Sequence, residues 1–262
     1  MHPLLSAASE IPVSVETGSL SPEDLATIDH WLVLVPESPS DAVWAALPDG
    51  GRLRDAAARR SPDSAYLLRT RLANERQTSV VAGQVGAKDD AFAQLSLGRK
   101  LVEAIRDDAA GTLAITATGF DAEAAGDIAG RVLAAALAAA FAMPAYKAKP
   151  AAPVIREVRV IGLDAAVDTQ RLEAEAAGNN LARWLTTMPP NKLDATSYAD
   201  ICEVLAREHD WSYRRFDTKD LEKLGAGAFL AVAQGNADDS ASIVRLRYRP
   251  ADKEASRIQQ YR

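Results

Sequence analysis

Cysteine is almost absent from this sequence. The chain of 262 residues contains one cysteine, Cys202, so no disulfide can form within it. Structural disulfides are typical of oxidising compartments, and a chain without them is typical of a reducing compartment. The amino terminus has no basic segment followed by an apolar run, so we predict no secretory signal. Both absences favour a cytoplasmic location.

Long apolar runs and excess positive charge are also lacking. The longest apolar run, Val132 to Met143, has about 12 residues, whereas a membrane-spanning helix needs about 20. We interpret it as a buried helix. The net charge is -6 and the isoelectric point is about 5.2. This acidic balance, without a visible basic stripe, disfavours nucleic acids and anionic membranes as partners.

Histidine and cysteine, which often bind metals or act in catalysis, are few and scattered. His2, His30 and His209 are far apart, and no pair has the spacing of an H-E-x-x-H or C-x-x-C site. We interpret His209 as a cation at a helix end, with a general base as the less favoured alternative. Cys202 is interpreted as a small buried apolar residue, with a nucleophile as the less favoured alternative.

Other catalytic and ligand-binding motifs are missing as well. The sequence has neither a phosphate-binding loop nor a G-x-S-x-G nucleophile motif. Three acidic pairs lie in predicted loops, and we interpret them as helix caps or turns rather than metal ligands. These pairs are Asp89-Asp90, Asp107-Asp108 and Asp238-Asp239. The residues alone therefore assign no catalytic, metal-binding or substrate-binding position.

Strand and helix patterns alternate through residues 1–145. Trp31 to Val35 is a continuous apolar run, typical of a strand that is buried on both faces. Helices are predicted from about Asp90 to Arg106 and from Asp121 to Phe141, with a strand over Thr112 to Thr116 between them. This alternation predicts an N-terminal α/β domain with a mixed sheet over residues 1–145.

A segment rich in proline and small residues follows at residues 146–153, and we predict a linker there. Residues 154–262 are then predicted to begin a second α/β domain. Its elements are a strand from Val154 to Ile161, a long helix that two prolines end after Thr187, and a helix from about Thr196. We expect this second domain to be incomplete, because so few strands would leave a sheet edge open.

The stretch between Leu172 and Pro250 resembles the leucyl aminopeptidase (cytosol aminopeptidase) family. The matching blocks are Ala182-Arg183-x-Leu185 with Met188-Pro189-Pro190-Asn191-x-Leu193, then Leu224 to Gly235, then Ile243 to Tyr248 with Pro250. Asp194-Ala195 stands where the family usually has Thr-Pro, and Asn236 stands where it usually has Ser. Asp and Asn also serve at helix caps and turns, so we expect these two departures to leave the fold intact.

The resemblance implies the N-terminal domain and the first part of the catalytic domain of a cytoplasmic, homohexameric exopeptidase. Such enzymes hydrolyse N-terminal residues, leucine preferred, from peptides with two divalent metals, Mn or Zn. In the family the motifs that bind these metals come after the Tyr-x-Pro strand, and they do not occur in this sequence. We therefore expect this chain alone to bind no metal and to be inactive without the missing catalytic half.

Two functions of other classes stay open beside this one. The first is a non-catalytic interaction or scaffold protein derived from the aminopeptidase, which would have to fold stably by itself. The second is nucleic-acid binding, which occurs in some members of the family and which the acidic balance disfavours here. The sequence also leaves open whether the N-terminal domain has a ligand of its own.

Overall fold

The structure is a computed structural model that describes residues 4–5, 11–60, 66–144, 146, 154–164, 166–235 and 241–250. The chain forms two compact units. The larger unit is Ala8–Arg183, and the smaller unit combines Met1–Ala7 with Trp184–Arg262. No helix in the described ranges is long and apolar enough to cross a membrane.

A mixed sheet organises the larger unit, as the sequence predicts, and it contains six strands. Its strands are β1 (Val13–Glu16), β2 (His30–Pro36), β3 (Leu68–Arg71), β4 (Ser79–Val85), β5 (Gly111–Ala117) and β6 (Ile155–Ile161). Their order is β1-β6-β5-β2-β4-β3, and β3 alone of these strands runs antiparallel to its neighbour. The parallel pairs need crossover connections, which helices supply.

Helices cover both faces of this sheet. They are α1 (Pro22–Leu25), α2 (Asp41–Ala45), α3 (Gly50–Ala57), α4 (Ala91–Ala104) and α5 (Ala122–Ala140). Leu32 and Leu34 of β2 face the core that contains α4 and α5, whereas Trp31, Val33 and Val35 face the core of α1 to α3. All five side chains are fully buried, which confirms that β2 is buried on both faces.

The smaller unit contains a two-stranded antiparallel sheet and short helices. Helix α6 (Thr169–Thr187) has its last residues, 184–187, in this unit. The elements that follow are α7 (Ala195–Glu208), β7 (Ser212–Phe216), α8 (Thr218–Lys223), α9 (Gly227–Ala233) and β8 (Ile243–Arg247). Its small core includes Ile201, Cys202 and Ala206 of α7 together with Leu221 of α8.

The position of β6 corrects the sequence analysis. The sequence placed this strand in a second domain, beyond a linker at residues 146–153, but β6 lies between β1 and β5 in the sheet of the larger unit. The two units divide at Arg183 and Trp184, inside α6. Val158 and Val160 are fully buried, and a proline-rich connection can return a strand to the same sheet as readily as it can join two domains. Residues 147–153 lie outside the described residues.

Candidate functional site

The first block of the family pattern positions an arginine at the end of α5. Arg183 Nη1 donates hydrogen bonds to the carbonyl oxygen of Ala138 at 2.8 Å and to Asn180 Oδ1 at 2.7 Å. The last carbonyls of a helix have no partner within the helix, and a basic side chain there satisfies one and suits the helix dipole. Arg183 therefore links α6 to α5 by a hydrogen bond, and its role is structural.

The connection between α6 and α7 contains the two prolines and the first departure from the family pattern. The amides of Lys192 and Leu193 donate to the carbonyl of Pro189 at 2.9 and 3.0 Å. Asp194 then caps α7: its carboxylate accepts from the Ser197 amide at 2.8 Å, and Ser197 Oγ accepts from the Asp194 amide at 2.9 Å. The hydrogen bond from the Ser197 amide lowers the pKa of Asp194. The prediction that Asp serves as a cap here is confirmed, whereas Asn236 lies outside the described residues.

The second block forms the turn between α8 and α9. Gly225 has φ of +71°, which glycine adopts at little cost. The amide of Gly225 donates to Glu222 and the amide of Ala226 donates to Leu221, which is the Schellman pattern that ends a helix. Helix α9 then consists of apolar residues and glycine, yet none of its residues is buried. The side chain of Val232 is 85% exposed.

The third block is β8, whose two faces differ in character. One face of the β7–β8 sheet packs on α7: Tyr213 Oη donates to the carbonyl of Ala199 at 3.2 Å, and Arg215 lies 3.6 Å from Asp200. Burial raises the pKa of Tyr213. We name the opposite face the arginine face, and it consists of Ser212, Arg214, Phe216, Ile243, Arg245 and Arg247.

Sequence reasoning missed the arginine face. The sequence shows Arg214 beside Arg215 and shows Arg245 and Arg247 two positions apart, but it does not show that these positions pair. Antiparallel pairing places Arg214 directly opposite Arg245. A basic stripe that is absent from the linear sequence is therefore assembled by the fold.

His30, His209 and Cys202 each lie in a local environment that explains them without a catalytic role. His30 is buried at the start of β2, where Nε2 lies 2.7 Å from the carbonyl of Ala109. His209 ends α7 and stacks on Trp211 with ring centroids 4.9 Å apart, so its helix-end placement is confirmed. Cys202 is buried as predicted, and burial raises the pKa of its thiol, which disfavours a thiolate nucleophile. His2 lies outside the described residues.

The described aspartates of the acidic pairs cap a helix, accept a hydrogen bond within a turn or form an ion pair with arginine. Asp89 accepts from the Gly86 amide at 2.7 Å, and Asp90 caps α4 by accepting from the Ala93 amide at 2.8 Å. The side chain of Asp108 is only 8% exposed and accepts from Arg71 Nη2 at 2.7 Å, a partner that the sequence did not reveal. Asp238-Asp239 lies outside the described residues.

The described residues do not fit a metal centre. No group of three or more His, Cys, Asp or Glu side chains within them could hold a metal ion. A two-metal hydrolytic site needs several such donors close together. We therefore derive no step of a reaction through a metal from the described part of the chain.

A shallow polar pocket of about 230 Å³ lies where β2 and β4 end. Its lining residues are Glu37, Arg60, Tyr66, Leu67, Gln84, Gly86, Asp89 and Leu97. Arg60 Nη1 donates to Gln84 Oε1 at 3.1 Å, and Gln84 Nε2 donates to the carbonyl of Glu37 at 2.8 Å. The carboxyl ends of parallel strands are a common place for ligands, but here these polar groups are already bonded to one another.

Comparison of the sequence with known proteins points to one family. A model of the catalytic domain of the cytosol aminopeptidase family matches residues 180–259. A probable cytosol aminopeptidase of Sulfurihydrogenibium sp. (strain YO3AOP1) is 35% identical over 82 residues, which are 31% of this chain and 16% of that protein. The segment matched by the family model, residues 180–259, contains all three blocks of the family pattern. The similarity is thus to a family of peptidases, which are hydrolases.

Solved structures share the fold over nearly the whole chain. A mutant of tomato leucine aminopeptidase superposes with a TM-score of 0.77 and 17% identity, over 95% of this chain and 53% of that one. The bottromycin maturation enzyme BotP in complex with Mn superposes with a TM-score of 0.58 and 22% identity, over 86% of this chain and 46% of that one. The chain therefore spans about half the length of these structures. Together the comparisons confirm the resemblance to the leucyl aminopeptidase family.

Proposed function

From the resemblance to the leucyl aminopeptidase family, we propose that this chain contributes the N-terminal domain and the first part of the catalytic domain of a cytoplasmic aminopeptidase. The intact enzyme would remove N-terminal residues, leucine preferred, from peptides as a homohexamer. The single observation that carries this proposal is the match of residues 180–259 to the catalytic domain of the cytosol aminopeptidase family.

We further propose that the intact enzyme depends on two divalent metals, Mn or Zn. Such a pair would lower the pKa of a bound water and polarise the scissile carbonyl. The complex of BotP with Mn supports metal dependence among proteins of this fold. The described residues of this chain offer no donor set, so we assign their role to the scaffold rather than to the reaction, and we expect the chain alone to be inactive.

The apolar surface of the smaller unit supports a role within a larger assembly. Helix α9 has no buried residue, and Leu224 and Val232 are 66% and 85% exposed. Apolar side chains that remain in contact with water along a whole helix are typical of a surface that another polypeptide covers. Further polypeptide of the aminopeptidase fold would cover such residues and remove them from water.

The experiment that tests this proposal uses the native protein. An antibody against the larger unit would precipitate the protein from extracts of the cells that make it, and the precipitate would be assayed with a leucine chromogenic substrate and added Mn. We expect leucine-releasing activity that is absent from a precipitate of cells lacking the gene. A precipitate that contains the protein but releases no leucine would overturn the proposal.

A non-catalytic scaffold protein is the second candidate, and the complete core of the larger unit favours it. Buried residues cover both faces of the six-stranded sheet, so this unit has what it needs to fold without a metal or a partner. A monodisperse chain that melts cooperatively by itself would favour the scaffold. Aggregation of the isolated chain, or its rescue by the other half of the aminopeptidase fold, would count against it.

A further inference from the structure

The pocket at the ends of β2 and β4 belongs to the larger unit of the chain, Ala8–Arg183. The match to the catalytic domain of the cytosol aminopeptidase family begins only at residue 180, so the pocket lies outside the matched segment. The sheet of this unit has a core on each face, which holds the strands that end at the pocket. The pocket volume of about 230 Å³ is below the range of about 300–1,000 Å³ that is usual for drug-sized ligands, so a ligand must be small.

Two carboxylates, those of Glu37 and Asp89, line the pocket. The backbone of Glu37 is fixed, because its amide donates to the Val85 carbonyl at 3.1 Å and its carbonyl accepts from Gln84 Nε2 at 2.8 Å. The Glu37 carboxylate forms no hydrogen bond or ion pair with any residue that the structure describes. Asp89 Oδ2 accepts from the Gly86 amide at 2.7 Å, which orients the second carboxylate. The two side chains suit an ammonium group, which has three N–H donors.

Arg60 brings the opposite charge to the same pocket. Arg60 Nη1 donates to Gln84 Oε1 at 3.1 Å, and Gln84 is itself held by its bond to the Glu37 carbonyl. Gln84 therefore orients the guanidinium. A guanidinium has five donors in a planar fork that matches a carboxylate, so one that is bonded to Gln84 can also bind the carboxylate of a ligand. Leu67 and Leu97 line the pocket as well and offer apolar contact.

We propose that this pocket binds a free aliphatic α-amino acid as its zwitterion. The ammonium group contacts the carboxylates of Glu37 and Asp89, and the carboxylate contacts the Arg60 guanidinium. The aliphatic side chain lies against Leu67 and Leu97. Both charges of such a ligand meet the opposite charge, whereas a simple amine leaves Arg60 unused and a simple carboxylate leaves the acidic side chains unused. This inference stands on the pocket and not on the proposed aminopeptidase activity, although an aminopeptidase releases molecules of this class.

The test is a titration of the isotope-labelled full chain, followed by NMR through the backbone amide of Gly86 and the side-chain amide of Gln84. The probes are leucine, leucinamide, which lacks the carboxylate, and N-acetylleucine, which lacks the ammonium group. We expect leucine to bind with a dissociation constant on the order of 1 mM, because ion pairs in a shallow pocket stay partly in water. Each of the other two probes keeps only one of the charges and should bind more weakly than leucine.

Two variants should divide the probes in opposite ways. We expect Glu37→Gln to weaken the binding of leucine and leucinamide about threefold, and not that of N-acetylleucine. Arg60→Met should weaken the binding of leucine and N-acetylleucine by a similar factor, and not that of leucinamide. Glu75→Gln and Arg59→Met are the matched controls. Glu75 is exposed before the start of β4, at the opposite end of that strand from the pocket, and the exposed Arg59 does not line the pocket.

The outcomes separate the alternatives. Thermal melting without ligand should be the same for Glu37→Gln and Glu75→Gln, so that the loss of binding is not a loss of folding. No saturable shift with leucine well above the expected dissociation constant would overturn the proposal, and so would equal binding by the variants and their controls. Leucinamide that binds as tightly as leucine, with no effect of Arg60→Met, would overturn it in favour of a simple amine. A failed titration leaves untouched the proposed aminopeptidase activity, which is measured separately in the precipitated native protein.

Discussion

Arg159 of β6 and Glu16 of β1 form a bidentate ion pair. Arg159 Nε donates to Glu16 Oε1 and Nη2 donates to Oε2, both at 2.7 Å, while Nη1 donates to Thr27 Oγ1 at 2.9 Å. The two strands are paired in parallel at the edge of the sheet. This pair joins two segments that the sequence analysis assigned to different domains, so it belongs to the stability of a single unit.

We predict that Glu16→Gln lowers the free energy of unfolding by about 1 kcal/mol at pH 7. The side chain of Glu16 is 36% exposed, so solvent screening keeps the effect small. The hydrogen bonds from Arg159 lower the pKa of Glu16 from its ordinary value of 4.5. Because the pKa is lowered in the folded state, the stabilisation is present above that ordinary value and is lost as the pH falls through the folded-state pKa.

Urea unfolding at several pH values checks this prediction. The difference between the unmodified chain and Glu16→Gln should vanish in acid, where both side chains are neutral. Glu23→Gln is the matched control, because Glu23 is an exposed glutamate of the same unit. A Glu16→Gln difference that is as large at pH 3 as at pH 7 would contradict the electrostatic explanation.

We predict that Asp29 stabilises the end of the sheet at which β2 and β5 begin. Asp29 Oδ2 accepts from the Thr112 amide and Oδ1 accepts from Arg76 Nη1, both at 2.9 Å. Partial burial raises the pKa of Asp29, but the Thr112 amide and Arg76 together outweigh this and lower it. We expect Asp29→Asn to cost about 1–2 kcal/mol, because it weakens hydrogen bonds to a charged acceptor.

The measurement for Asp29 is thermal unfolding at neutral pH, with Asp107→Asn as the control. The Asp107 side chain is 89% exposed, and we expect its replacement to be neutral within about 0.5 kcal/mol. Similar melting temperatures for the Asp29→Asn and Asp107→Asn variants would show that the Asp29 contacts add no stability.

Two nearby glycines, Gly225 and Gly227, should respond differently to alanine. Gly225 has φ of +71°, although a Cβ there would meet no atom within 4 Å, so Gly225→Ala costs about 1 kcal/mol through backbone strain alone. Gly227 has no such conformation and the same open space. Gly227→Ala at the start of α9 should therefore be neutral or slightly stabilising. Chemical unfolding of the two variants compares them, and equal effects would refute the role of the turn.

The cap of α7 offers a test of the departure from the family pattern. We expect Asp194→Ala to lower the denaturant concentration at the midpoint of unfolding, because the helix-terminal hydrogen bond to the Asp194 carboxylate is lost. Asp194→Thr restores the residue usual in the family and should cost little, since threonine also caps helices. Guanidinium unfolding gives both values. The capping explanation fails if threonine destabilises the unit as much as alanine does.

The sequence predicted the features that local chemistry decides. The apolar run from Trp31 to Val35 indicated a strand buried on both faces, and Asp121 indicated the start of α5; both are confirmed. In each case the signal lies within a few neighbouring residues. Apolar continuity and a capping carboxylate act over short distances along the chain.

The sequence could not predict features that depend on pairing between distant segments. β6 joins β1 although about 140 residues separate them in the chain, a separation that loop-closure entropy penalises only weakly. The arginine face likewise depends on the register between β7 and β8. A shift of one residue would turn Arg245 to the opposite face, and no local pattern decides that register.

We propose that this chain supplies the scaffold part of an aminopeptidase and not its metal-binding residues. One preparation of the purified chain, assayed for hydrolysis of a leucine chromogenic substrate with added Mn and analysed for bound metal, tests this proposal. We predict neither hydrolysis above the uncatalysed rate nor stoichiometric metal. Hydrolysis by the chain alone, together with metal that remains through purification, would contradict the claim and place metal ligands within this sequence.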